Sequence, residues 1–310
     1  MKKALITGIC GFVGGYLRRE LLQNNYTVAG LDVRPGDDVI QADLLDAKQT
    51  LSVIKSLRPN IVIHLAGQPD VAKSWEMPQK TLQLNVIATV NIMEAVRIID
   101  TEIRIVLIGS ADEYGRFGEV GGNVDETAPL YPQSPYAVSK TAQEQIAEVY
   151  RRAYGLNICM TRSFNHAGVG QGLGFLIPDF AYGIASVEKG LQSCLKVGNL
   201  DAYRDFTHVK DIARAYRLIA EKGRQGEIYN VGSGRTYNAR QILEKLLSMS
   251  EMKIPVEQDP AKMRPIDTPI ICCNHDKLTR DTGWQPQISI EQILKEVLNE
   301  QREKISQSII

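Results

Sequence analysis

Tyr136 and Lys140 stand four residues apart in the run SPYAVSK, directly after Pro135. Proline suits the first turn of a helix, and an i, i+4 spacing puts both side chains on one face with Cβ atoms about 5–6 Å apart. A phenol titrates near pH ~10, and a fixed ammonium beside it favours the phenolate. Tyr136 is therefore predicted to serve as an acid or base near neutrality, with Lys140 tuning it and reaching a nucleotide ribose. A YxxxK pair alone occurs by chance on many helices, so its meaning depends on its surroundings.

The chain opens with a strand, KALIT, followed by Gly8, Gly11 and Gly14 in GxxGxxG spacing at the mouth of a helix. The first glycine permits a tight turn, the second lets the backbone approach a pyrophosphate, and the third lets helix and strand pack closely. Phe12 and Val13 belong to the same predicted cofactor loop. Asp32 ends the next strand, eighteen residues past Gly14. An acid there accepts hydrogen bonds from ribose hydroxyls and favours NAD(H), whereas Arg34 offers to hold a 2′-phosphate, so both NAD(H) and NADP(H) stay open. Asp43, next to Leu44, is placed either to meet the adenine edge or to cap a helix. Leu65, Ala66 and Gly67 end the fourth strand in a small-residue turn that admits the cofactor.

These residues need a scaffold, and the pattern of the first half supplies one. KALIT, YTVAGLD, NIVIHLAG, RIVLIGS and LNICMTRS are near-continuous apolar runs separated by helical periodicity, as expected where helices cover both faces of a parallel sheet. The predicted fold class is α/β, a Rossmann-type doubly wound parallel sheet with a smaller mixed α/β C-terminal lobe. Residues 1–163 and about 196–230 are assigned to the nucleotide domain, and 164–195 and about 231–310 to a substrate lobe.

Bulk properties exclude several classes. Thirty-six basic residues balance thirty-six acidic ones among 310, so no overall field draws nucleic acid or an anionic membrane. No stretch is read as reaching the ~20 apolar residues of a membrane span. Five cysteines without a CxxC argue against a disulfide framework, and the chain reads as cytoplasmic and soluble. His64, His166, His208 and His275 lack metal-ligand spacing, so no metal is expected. His64, in an apolar run, reads as a satisfied core histidine, and His166 and His208 as holders of loop backbone.

Joined to Ser110 at the end of LIGS and to the glycine loop, YxxxK becomes a constellation, and the sequence resembles the extended short-chain dehydrogenase/reductases over almost its whole length. The resemblance implies Ser110, Tyr136 and Lys140 as catalytic groups and Asn85, in LQLNVIA, as a strand-supporting or proton-relay asparagine. TRSFNHAGVGQ, YRDFTHVKDIARAY, EIYNVGSG and MRPIDTPIICCNHDKLTRDTGWQP resemble the GDP-mannose branch, which holds 4,6-dehydratases and 4-keto-6-deoxy-mannose reductases. For a nucleotide sugar, Arg204 and Arg264 offer planar donors to phosphate, and Asn165 amide donors and acceptors to sugar or phosphate. Helices 78–99 and 135–154 correspond to the pair that often makes a dimer interface in the family, which implies a homodimer.

The stretch IGSADEYG separates the two reactions. A 4,6-dehydratase oxidises C4, takes a proton from C5 and expels the C6 hydroxyl, and its relatives carry Thr, then Asp or Ser, then Glu before a Tyr-Gly pair. Here Ser110, Ala111 and Asp112 fall on those positions, and Ala111 is counted with Ser110, Asn165, Arg204 and Arg264 as lining the substrate. One polar group is missing and the acid is a methylene shorter. Glu113 is displaced by one residue, and neighbouring side chains in extended backbone point to opposite sides. Asp112 and Glu113 are therefore read as loop-shaping or solvent-facing acids. The expected reaction is reduction of the C4 ketone of GDP-4-keto-6-deoxy-D-mannose to a GDP-6-deoxyhexose such as GDP-D-rhamnose. A 4,6-dehydratase, a 4-epimerase and a non-catalytic nucleotide sensor stand as alternatives.

Overall fold

A computed structural model describes residues 1–120, 123–260 and 271–308, with backbone alone for 116–120. Seven strands build the main sheet: β1 (Lys2–Thr7), β2 (Tyr26–Asp32), β3 (Val39–Gln41), β4 (Ile61–His64), β5 (Arg104–Ser110), β6 (Ile158–Ser163) and β7 (Ile228–Val231). All neighbours are parallel, in the order β7-β6-β5-β4-β1-β2-β3. The order reverses between β1 and β4, and the crevice beyond those strand ends is where such sheets bind nucleotides.

The apolar strand runs follow from cover on both faces. Eight helices are used here: α1 (Phe12–Gln23), α2 (Ala47–Leu57), α3 (Ala88–Ile99), α4 (Pro135–Tyr154), α5 (Leu176–Glu188), α6 (Val209–Lys222), α7 (Ala239–Leu247) and α8 (Ile290–Ser308). Successive strand side chains alternate between faces. Ala4 and Ile6 accordingly join the core with Leu17 of α1 and Ile212 and Ile219 of α6, while Leu5 and Val62 pack with Ile92 and Val96 of α3. Each fully buried aliphatic side chain contributes roughly 1.5–3 kcal/mol.

Between Pro78 and Ile99, a stretch whose periodicity reads as one helix, a π turn interrupts the α-helical ladder at Gln83–Ile87. By length and composition this stretch could cross a membrane, which corrects the expectation that no such stretch exists. In the fold one face of it packs into the core, with Ala88, Ile92, Met93 and Val96 buried against the sheet, while Ile87 and Ile98 stay exposed.

The smaller lobe holds a three-stranded sheet of Thr236–Asn238, Tyr203–His208 and Asn165–Ala167, in that order. Its core joins α5, α7 and α8 through Phe180, Ile184, Ile242, Leu246, Ile293 and Val297. Residues 196–230 are shared out: α6 and β7 pack with the main sheet, whereas Tyr203–His208 pairs inside the lobe. The C-terminal segment also returns to the main core, where Trp284 is fully buried and its indole N–H donates to the Asp211 carbonyl at 2.9 Å.

Candidate active site

Helix α4 starts where the sequence places it. The Ser134 hydroxyl accepts from the Ala137 N–H at 3.1 Å, a cap worth about 1 kcal/mol, and Pro135 occupies the first turn. Tyr136 and Lys140 then face the end of β5, and both are buried. The Ser110 side chain stands beside the Tyr136 hydroxyl, and Ser110 Oγ accepts from the Asp112 N–H at 3.2 Å. Two hydroxyls thus meet at the strand end, where a carbonyl oxygen can be held and protonated.

Lys140 behaves differently from the expectation. Its ammonium donates to the Ile108 carbonyl at 2.6 Å and to Gln143 Oε1 at 3.0 Å, and burial lowers its pKa to about 8, against the pull of Glu113. The Tyr136 phenol is not brought toward neutrality. Burial raises it, Asp112 adds to that, and the Ser110 hydrogen bond opposes both. The helical spacing is as read, but the dry pocket outweighs the cation, which spends its donors on β5 and α4. Tyr136 therefore carries its proton at neutral pH and is available as a donor, though a weaker acid than a free phenol.

Asn85 lies in the π turn, fully buried. Its Oδ1 accepts from the Gln68 N–H at 2.7 Å, and its Nδ2 donates to the Gln68 carbonyl at 3.1 Å and to Ser139 Oγ at 2.8 Å. The asparagine ties the loop after β4 to the helix that carries Tyr136 and Lys140. π turns are rare and gather at functional sites, and this one turns a side chain inward to make three bonds.

The cofactor loop fits a dinucleotide by its own geometry. Gly8 has φ +70, and a Cβ there would lie 2.7 Å from the Ala66 nitrogen, so the Leu65–Gly67 turn closes against the glycine loop. No side chain caps α1, whose N-cap is Gly11, which leaves its first N–H groups, those of Phe12 and Val13 among them, for an anion. Asp32 is buried, and its carboxylate accepts from the Cys10 N–H at 3.0 Å and the Arg34 N–H at 3.0 Å. Burial pushes its pKa up, but the hydrogen bonds from Arg34 and Cys10 outweigh it and hold the acid below its usual range. Arg34 folds onto Asp32 at 3.2 Å while most of its side chain stays exposed.

Other expected residues are placed as follows. Asp43 neither caps nor opens α2: the cap is Asp46, and Asp43 Oδ1 accepts from the Leu45 N–H at 2.9 Å, a local turn that starts the helix later. Leu44 is a core side chain whose carbonyl accepts from Asn91 at 2.8 Å. Arg204 and Asn165 lie on paired strands of the lobe, Asn165 exposed and opposite Phe206, and Arg204 half-buried with Nη1 on the Tyr203 carbonyl. Arg264 lies outside the described residues. Ala111 is buried. His64 is a core residue, bonded to Thr7 Oγ1 at 2.7 Å and Thr89 Oγ1 at 3.0 Å, and burial drives its pKa down to about 3. His166 bonds the Phe164 carbonyl at 3.0 Å, and His208 caps α6 by accepting from the Lys210 N–H.

Glu113 is the correction that matters most. Of its two expected roles, shaping the loop or facing solvent, it takes the first, and from inside. The carboxyl is fully buried and Oε1 accepts from the Ser110 N–H at 2.7 Å. The backbone from Ala111 is 3-10, broken by a non-helical kink at Gly115, and not extended, so neighbouring side chains do not simply alternate between two sides. The one available signal was Gly109: a Cβ there would lie 2.6 Å from Glu113 Oε1 and 2.3 Å from the Thr161 carbonyl.

Because the nucleotide cradle and the Ser110–Tyr136 pair share one edge of the sheet, a hydride and a proton can be brought to the same carbonyl. That is the working layout of NAD(P)-dependent extended short-chain dehydrogenase/reductases, and this chain is one of them by fold and site. A family model described as GDP-mannose 4,6 dehydratase matches residues 5–297, and the chain belongs to that family. The GDP-6-deoxy-D-mannose reductase of Pseudomonas aeruginosa is 33% identical over 305 residues, 98% of either chain. A GDP-mannose 4,6-dehydratase of Vibrio cholerae is 28% identical over 96% of this chain and 93% of its own. Among solved structures, the RMD protein of Pseudomonas aeruginosa complexed with NADPH superimposes with a TM-score of 0.87 at 32% identity, covering 98% of this chain and 100% of that one.

Proposed function

We propose that this protein reduces the C4 ketone of GDP-4-keto-6-deoxy-D-mannose, or a close relative, to a GDP-6-deoxyhexose such as GDP-D-rhamnose, with NADH or NADPH. The carrying observation is the end of β5: a protonated tyrosine on a serine hydroxyl, followed by a buried alanine where elimination needs a polar side chain. The glycine loop and Asp32 would hold reduced nicotinamide, which would supply the hydride when bound. Ser110 hydrogen-bonds the C4 oxygen, Tyr136 gives it a proton as charge develops, and Lys140 fixes the strand end through the Ile108 carbonyl. General acid catalysis of this kind contributes about 10²–10⁴ in rate.

The substrate is read as spanning the two lobes, with residues 1–163 on the cofactor side and Asn165, Arg204 and Arg264 on the nucleotide-sugar side. Loss of reduced-nicotinamide absorbance with the 4-keto sugar, measured with NADH and with NADPH, is the expected result. No loss, together with dehydration of GDP-mannose, would overturn the reading in favour of the dehydratase. The five cysteines are free thiols, which supports a reducing cytoplasmic setting.

A homodimer is part of this reading. Ile87 and Ile98 around α3, and Val138 and Val149 on α4, are exposed apolar side chains on neighbouring helices. Sedimentation is expected to give twice the 34.5 kDa chain mass; a single-chain mass at micromolar concentration would refute it.

A further inference from the structure

We propose that Glu113 is a positioning residue for the reduction: it rests neutral, fixes Ser110 through the backbone amide, and on ionising weakens Tyr136 as a proton donor. The inference builds on the ketoreductase reading and assigns a buried acid that the reaction does not itself require.

The geometry carries it. Glu113 is fully buried beneath the end of β5, in a slot that Gly109 alone leaves open. Oε1 accepts from the Ser110 N–H at 2.7 Å, while Lys140 donates to the Ile108 carbonyl at 2.6 Å. Two buried polar groups therefore grip the strand end on either side of Gly109 and set where the Ser110 hydroxyl points. Glu113 is held in turn by its own carbonyl, which accepts from the Tyr131 N–H at 3.0 Å.

Its second oxygen, Oε2, is buried and makes no hydrogen bond among the described residues. A buried carboxylate needs donors or a cation, and without them the neutral acid is favoured. The charged groups facing Glu113 are Glu144 and Lys140 from α4 and Arg162 from β6. Arg162 is committed elsewhere, paired with Glu144 at 2.7 Å and donating to Tyr114 Oη at 3.0 Å. Lys140 donates to Ile108 and Gln143. Burial and Glu144 raise the Glu113 pKa, against the Ser110 amide, Arg162 and Lys140.

Tyr136 senses this acid. After burial and Asp112, a charged Glu113 raises the phenol further, with Tyr216 adding to it, against the Ser110 hydrogen bond. The sign follows: below the raised Glu113 pKa the acid is neutral and Tyr136 is the stronger donor. As pH rises through that value the carboxylate forms, the phenol holds its proton more tightly, and ketone reduction slows.

Three measurements test it. Glu113→Gln keeps the oxygen that accepts from Ser110 and cannot ionise, so it is expected to retain near-wild-type kcat at neutral pH and to lose the part of the alkaline fall of kcat that comes from Glu113, leaving that of Lys140. Glu113→Ala frees the Ser110 amide and is expected to lower kcat by about tenfold to a hundredfold, the size of a small misplacement at a reacting centre, with KM for the coenzyme little changed. Infrared difference spectra of wild type minus Glu113→Gln at pH 7 are expected to show a protonated carboxyl stretch that vanishes at high pH. This last measurement needs no substrate and no alanine variant. If the wild type does not reduce the 4-keto sugar, the ketoreductase reading fails, and the infrared band alone decides whether Glu113 is a neutral buried acid. A glutamine variant whose pH profile superimposes on wild type, or a spectrum without the band, overturns the proposal.

Discussion

Tyr136→Phe is expected to cut kcat for ketone reduction by about 10²–10⁴-fold while leaving the affinity for reduced nicotinamide nearly unchanged. The substitution removes one oxygen, the hydroxyl that stands beside Ser110 at the end of β5. The ring remains to fill its buried site on α4, so the helix, the Lys140 contacts and the glycine loop are preserved. The nearby Ser139 hydroxyl is committed elsewhere, donating to the Tyr136 carbonyl at 2.6 Å and accepting from Asn85 Nδ2 at 2.8 Å. Steady-state kinetics together with a coenzyme fluorescence titration separate the two quantities. Unchanged turnover would sink the proton-donor role, and lost coenzyme binding would recast Tyr136 as part of the cradle.

Gly14→Ala is expected to abolish saturable coenzyme binding, whereas Gly15→Ala, one residue on, is expected to be harmless. A Cβ at Gly14 would lie 2.2 Å from the Ile9 carbonyl oxygen and 2.6 Å from its carbon. Both are backbone atoms, so no side-chain rotation relieves the clash, and α1 must move off the loop whose N–H groups receive the pyrophosphate. Overpacking of this kind costs typically about 1–3 kcal/mol in stability, beyond the loss of the anion site. At Gly15 nothing lies within 4 Å of an added Cβ, and alanine there gains about 0.4–1 kcal/mol from lower unfolded-state entropy. Melting curves and coenzyme titrations of the two variants make a matched pair. Normal binding by Gly14→Ala would show that close packing of α1 on the loop is not what forms the cradle.

Much of the scaffold around the glycine loop and the Tyr136–Lys140 helix could be read from the chain because its rules are local. The GxxGxxG turn, the acid at the end of the next strand, the capped helix start at Ser134 and Pro135, and the i, i+4 pair depend on spacing within one or two elements. Apolar runs covered on both faces carry the sheet type in the same way, since each strand must hide two sides. Where several residues compete for one local job, spacing does not choose: of the two roles open to Asp43, the cap of α2 goes to Asp46.

The rest depends on groups far apart in sequence. Asn85 meets Ser139 across 54 residues, and Lys140 meets Ile108 across 32. The direction of the Tyr136 ionisation depends on how dry its pocket is, and spacing carries no information on that. Glu113 makes the same point within three residues of Ser110: as text it is one acid among several beside a tyrosine. Only the 3-10 turn after β5 and the slot over Gly109 turn it inward, because the free energy of a buried carboxyl is fixed by which donors surround it in space.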